Sequence, residues 1–157
     1  MKPGSLQYEI VVVEDNPADF ALVQIALKEH GVECFLHSVS DGEQAFKLID
    51  TLDSSTRTPR LDLLILDMHL PKHDGAEILK RLRSTENYGL TPVIVMTALD
   101  SPMAEAAANR HAALVYFPKP STFSEFMELG SIVRTLLQDS HQSRETPKRN
   151  KEAAKGK

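Results

Sequence analysis

The stretch Leu61-Asp62-Leu63-Leu64-Ile65-Leu66-Asp67 decides the fold. It is nearly continuous in apolar residues and too short for an ordinary helix. A run of this kind is a strand covered on both faces, as in the interior of a parallel sheet. Such a strand needs helices on either side, and its flanks supply them. Downstream, Leu70-Pro71-Lys72-His73-Asp74-Gly75 reads as a turn, and Ala76–Ser84 as a helix with Ile78, Leu79 and Leu82 inward. Upstream, Asp53–Arg60, with two Ser, two Thr and a Pro, reads as a loop. Before it, Asp41–Leu52 places Ala45, Leu48, Ile49 and Leu52 on one helical face.

Working outward, the same alternation continues. Tyr8–Val13 and Glu33–Val39 read as strands. Between them, Asn16 caps a helix whose first residue is Pro17. Ala18, Ala21, Leu22 and Ile25 are its expected buried face, and Gly31 its closing residue. Pro92–Thr97 and Leu114–Phe117 are further strands, and Pro102–His111 is an alanine-rich helix. Phe123–Leu137 is the last helix, with Phe126, Leu129, Val133, Leu136 and Leu137 on a face. Phe123 and Met127 are assigned to its core as well. Gly130, inside this helix, costs about 1 kcal/mol against Ala, and close packing is the reason offered for it.

Five strands alternating with five helices predict right-handed crossovers and an α/β fold. The expected form is a flavodoxin-like doubly wound five-stranded parallel sheet of order 2-1-3-4-5. The 157 residues fit one domain. Residues 1–6 are read as a flexible start, 7–140 as the domain and 141–157 as a disordered basic tail. That tail carries a net charge of +4 and the preceding 140 residues −8. The acidic body argues against a nucleic-acid binder. The apolar runs, Ile10–Val13 among them, are far short of a membrane span of roughly 20. With no signal-type start and a single cysteine, Cys34, a cytoplasmic location is expected. Cys34 itself is read as a buried, inert thiol.

In such a sheet the functional edge is the carboxyl end of the strands. There stand Glu14-Asp15 after the first strand, Asp67 at the third, Thr97 at the fourth and Lys119 after the fifth. Three carboxylates brought together raise one another's pKa. A hard divalent cation with oxygen ligands and water, Mg²⁺, relieves this. Metal, ammonium and hydroxyl together suit an incoming phosphoryl group, and Asp67 is the candidate nucleophile for an aspartyl phosphate.

Against this pattern the chain resembles the receiver domain of two-component response regulators (CheY-like). The resemblance rests on Val12-Val13-Glu14-Asp15-Asn16, on Leu64-Ile65-Leu66-Asp67-Met68 with Leu70-Pro71 and Asp74-Gly75, on Val93–Ala98, and on Tyr116-Phe117-Pro118-Lys119-Pro120. It implies Asp67 as phosphoacceptor, with Thr97 and Lys119 completing the reacting site. It implies Mg²⁺ held by Glu14, Asp15, Asp67 and the backbone carbonyl of His69. Thr97 and Tyr116 become switch residues, and His69 and Leu99 the positions that tune dephosphorylation. A bulky Leu99 would shield the phosphoryl group and give a long-lived phosphorylated state. The implied partner is a histidine kinase. The implied output is a changed surface on the fourth helix, fifth strand and fifth helix that binds a downstream protein or phosphotransfer partner.

The length of the chain leaves no room for a DNA-binding or enzymatic output domain, so a stand-alone, non-enzymatic receiver is expected. The segments around Asn16 and Lys119, with the long 53–60 loop, resemble the small receivers associated with phytochrome kinases. That subgroup implies a phytochrome kinase as donor and a homodimer through the same output face. A flavodoxin fits less well, because the carboxylates of the first loop repel a bare phosphate. A P-loop nucleotidase lacks its motif. A phosphatase of the haloacid-dehalogenase type needs a second acid where His69 stands, and a cap domain. A degenerate scaffold would not keep every acceptor residue. The six histidines show no metal-ligand spacing and are read as surface or loop residues, with His111 near the output face. Met68 is placed at the pocket mouth.

Overall fold

The computed structural model describes residues 7–98, 102–111 and 115–145, with side chains to Gln142. The flexible start assigned to 1–6, the shielding residue Leu99 and the tail from 146 onward lie outside the described residues. In chain order the elements are β1 (Tyr8–Val13), α1 (Pro17–Glu29), β2 (Cys34–Val39), α2 (Gly42–Ser54), β3 (Leu63–Asp67), α3 (Gly75–Arg83), β4 (Val93–Thr97), α4 (Pro102–Arg110), β5 (Val115–Pro118) and α5 (Phe123–Glu145). The strands form one parallel sheet of order β2-β1-β3-β4-β5. The expected flavodoxin-like topology is therefore the observed one.

Strand alternation divides the interior into two cores. Val11, Val13, Leu64, Leu66, Val93 and Val95 face Ile49, Ile78, Leu79 and Leu82 on one side of the sheet. Ile10, Val12, Leu63, Ile65, Ile94 and Met96 face Val23, Leu27, Phe126, Leu129 and Val133 on the other. All of β3 is buried, as its unbroken apolar run requires. The strand begins at Leu63, not Leu61. Asp62 is buried just ahead of it, accepts the Glu9 N–H at 2.8 Å and pairs with Arg60 at 2.9 Å. A buried carboxylate so engaged satisfies its oxygens at the sheet margin.

The Asn16 cap follows the sequence. Asn16 Oδ1 accepts from Ala18 N–H at 2.9 Å with Pro17 opening α1, and Gly31, at φ 65°, closes it. Asp41 and Asp74 cap α2 and α3 by accepting from Gln44 and Glu77.

Three packing expectations are corrected. The buried face of α1 is Val23, Ala26 and Leu27, while Ile25 is 41% exposed. α1 carries apolar residues on several sides, and the stripe that meets the sheet and α5 wins. Phe123 is 55% exposed at the first turn of α5, where Phe126 and Phe117 already fill the core edge to face. Met68, expected at the pocket mouth, is buried and packs within the α2–α3 core under Gly75. A fourth correction concerns length: α5 runs to Glu145, five residues into the supposed tail. Extending an existing helix costs far less than nucleating one, so polar composition alone does not end it.

Gly130 does permit close packing. A Cβ there would fall on the Ala26 carbonyl and the His30 ring. Cys34 is half-buried, and burial with the nearby Glu9 charge pushes its thiol pKa up, consistent with an unreactive residue. His37 and His69 are exposed, and the six histidines form no metal cluster among the described residues. No described helix is long and apolar enough to cross a membrane.

Candidate functional site

β1, β3, β4 and β5 end at one edge of the sheet, and the five residues singled out there stand together. Glu14 and Asp67 are buried, 3% and 4% exposed, while Asp15 is exposed. Carboxylate oxygens of Glu14, Asp15 and Asp67 lie within 4.8 Å of one another. Such crowding of charge in a poorly solvated place is unfavourable unless cations are present.

Lys119 is the cation the chain provides. Its Nζ lies 2.8 Å from Glu14 Oε2, 2.8 Å from Asp19 Oδ2 and 3.1 Å from Asp67 Oδ2. Its backbone N–H donates to the Thr97 carbonyl at 2.7 Å, which ties the start of the β5–α5 loop to the end of β4. Burial pushes the Lys119 pKa down, but the hydrogen bonds to Asp19 and Glu14 and the charge of Asp67 outweigh it and hold the group protonated. Glu14 behaves oppositely. Burial pushes its pKa up, the Lys119 hydrogen bond pulls it down and the Asp67 charge raises it again, to about 7.

Asp67 is oriented from its other side. Its Oδ1 accepts the His69 N–H at 2.9 Å, so the loop leaving β3 folds back on the carboxylate. That loop is braced on α2. Gly42 N–H donates to the Pro71 carbonyl, Lys72 pairs with Glu43 and Asp41, and the His73 ring packs on Phe46 with centroids 4.6 Å apart. Lys72 takes φ 73°, a left-handed conformation uncommon for a residue with a Cβ. Thr97 is fully buried, and its Oγ1 has no hydrogen-bond partner among the described residues. A buried hydroxyl left unpaired is costly. Tyr116 is half-buried and packs against the α2–α3–α4 side of the core.

Three carboxylates (Glu14, Asp19, Asp67) thus share one ammonium, and Asp15 clusters with Glu14 and Asp67 beside it. The excess negative charge and the all-oxygen donor set fit a hard divalent cation such as Mg²⁺. Asp19 was not among the residues picked out at the strand ends. It sits in the first turn of α1, which the capping signal Asn16-Pro17 places just after the end of β1.

The comparisons with known proteins agree with this geometry. The model of the response regulator receiver domain matches residues 10–130. The transcriptional regulatory protein CpxR of Escherichia coli is 36% identical over 135 residues, 86% of this chain and 51% of CpxR. The response regulator Rcp1 of Synechocystis is 35% identical over 88 residues, 56% of this chain and 60% of Rcp1. The chain thus spans between about half and three-fifths of the length of these relatives. Among solved structures, the phosphorylated cyanobacterial phytochrome response regulator RcpA superposes with a TM-score of 0.75 at 26% identity, covering 86% of this chain and 96% of RcpA. The Mn²⁺-bound form of Rcp1 gives 0.71 at 26% identity, covering 82% and 92%. With the matching sheet order and the acidic cluster at its carboxyl edge, the chain belongs to the response regulator receiver domain family.

Proposed function

We propose that the protein accepts a phosphoryl group on Asp67 from a phosphohistidine of a histidine kinase and thereby switches a surface for partner binding. The observation that carries this is the placing of Asp67. It is buried at the end of β3, with one oxygen on the His69 amide and the other 3.1 Å from Lys119. In the transfer, an Asp67 oxygen attacks phosphorus, the P–N bond of the phosphohistidine breaks and the imidazole leaves. Lys119 balances charge on the phosphoryl oxygens, and the unpaired Thr97 hydroxyl supplies a hydrogen bond to one of them. Glu14, Asp15, Asp67 and the His69 carbonyl would hold Mg²⁺, whose charge offsets that of the phosphoryl group. Thr97 moves toward the phosphoryl group and Tyr116 turns into the space it leaves. This shifts the population of the α4–β5–α5 surface toward a partner-binding form.

RcpA is a cyanobacterial phytochrome response regulator, which makes a phytochrome kinase the first donor to try. A downstream protein or phosphotransfer partner, or a second copy of the chain, would bind the α4–β5–α5 face. Intact mass after incubation with acetyl phosphate tests the central step. One phosphoryl group should be gained with Mg²⁺, none without it, and none in Asp67→Asn. No gain in folded wild type, from acetyl phosphate or from kinases, would overturn the reading. A phosphomonoester should not be turned over.

A further inference from the structure

Asp19 belongs neither to a strand end nor to the group of three carboxylates that could hold a cation. Yet its Oδ2 is as near to Lys119 Nζ as Glu14 is, at 2.8 Å, and nearer than Asp67, at 3.1 Å. The contact joins residues 100 positions apart and is largely enclosed: the side chains of Lys119 and Asp19 are 9% and 22% exposed. The α1 start holds Asp19 in place, since Asn16 Oδ1 accepts the backbone N–H groups of Ala18 and Asp19.

An ammonium has three hydrogens to donate. Around Lys119 three carboxylates stand within reach, so each phosphoryl contact it makes must displace one of them. Asp67 would become an acyl phosphate in the reaction and Glu14 would be drawn to the cation, while Asp19 takes part in neither. We propose that Asp19, held by the α1 start in contact with Lys119, sets the net charge of the pocket. Its added negative charge strengthens cation binding and opposes the approach of an anionic phosphodonor. This inference rests on the phosphoryl-acceptor reading above.

Opposite signs make it testable. In Asp19→Asn, Mg²⁺ measured by calorimetry should bind about 3- to 10-fold more weakly, the scale of one nearby charge at moderate dielectric. At saturating Mg²⁺, the second-order rate of phosphorylation by acetyl phosphate should rise about 2- to 5-fold, by the same electrostatics. The ¹⁵N signal of the Lys119 ammonium should shift in the metal-free protein. Asp19→Ser, which suits a helix start, should repeat all three if Asp19→Asn folds poorly. A residue of merely structural importance would weaken both Mg²⁺ binding and phosphorylation. That result, or unchanged Mg²⁺ affinity with an unmoved ammonium signal, overturns the assignment. If wild type takes up no phosphoryl group, the proposed function fails, while Mg²⁺ affinity and the ammonium signal still decide the role of Asp19.

Discussion

Asp67 and Lys119 are joined by a 3.1 Å contact between buried groups, and Lys119 is at the same time shared with Glu14 and Asp19. Removing one partner of such an arrangement leaves the others buried and unbalanced. Lys119→Met should therefore destabilise the metal-free protein by about 3–5 kcal/mol. Mg²⁺ should raise the melting temperature of the variant by more than it raises that of wild type. Equal increments would mean that the ammonium and the cation do not answer to the same carboxylates.

Glu14 gives the site a pH dependence with a definite sign. Its pKa is pushed from 4.5 to about 7, chiefly by burial. Between those values the folded chain keeps a proton that the unfolded chain has released. Stability of the metal-free protein should then fall as pH rises through this window. Cation binding needs the carboxylate, so Mg²⁺ affinity should rise over the same interval. Thermal melts with and without Mg²⁺ across the window would show both trends. Glu14→Gln should flatten the metal-free one.

Gly42 links the acceptor loop to α2. A Cβ there would strike the backbone and Cβ of His73 at 2.6 Å. Gly42→Ala should push the 69–74 loop away, loosen the His69 N–H from Asp67 and cost about 1–3 kcal/mol of stability. The informative readout is Mg²⁺ affinity, since the His69 carbonyl is one of the proposed ligands. A stable variant with unchanged affinity would show that the α2 brace does not orient the acceptor.

Most of the fold and site was legible because strong local signals agreed. The β3 run, the Asn16-Pro17 cap, and the polar residues at strand ends each pointed to one topology. What escaped depends on packing between distant elements. The buried face of α1 could not be chosen from periodicity, because Phe20, Leu22, Val23, Ile25 and Leu27 lie on several sides of the helix. Asp19 escaped because only the folded chain brings the first turn of α1 against Lys119. The reach of α5 to Glu145 escaped because its last turns follow from an established helix rather than from apolar residues.

Gly130 turns that dependence on packing into a last prediction. In an isolated helix, Gly130→Ala would stabilise by about 1 kcal/mol. In the folded chain the new methyl would overlap the Ala26 carbonyl and the His30 ring, and neither the α1 backbone nor the sheet behind it can retreat freely. Overpacking of about 1–3 kcal/mol should exceed the gain, so the variant should be less stable than wild type. α1 also carries Asp19 on Lys119, and the strain has a route to the site. Chemical denaturation measures the first effect, and Mg²⁺ titration of the same variant the second. A more stable Gly130→Ala would mean that α1 and α5 separate at little cost, and that the position of Asp19 is not fixed by their packing.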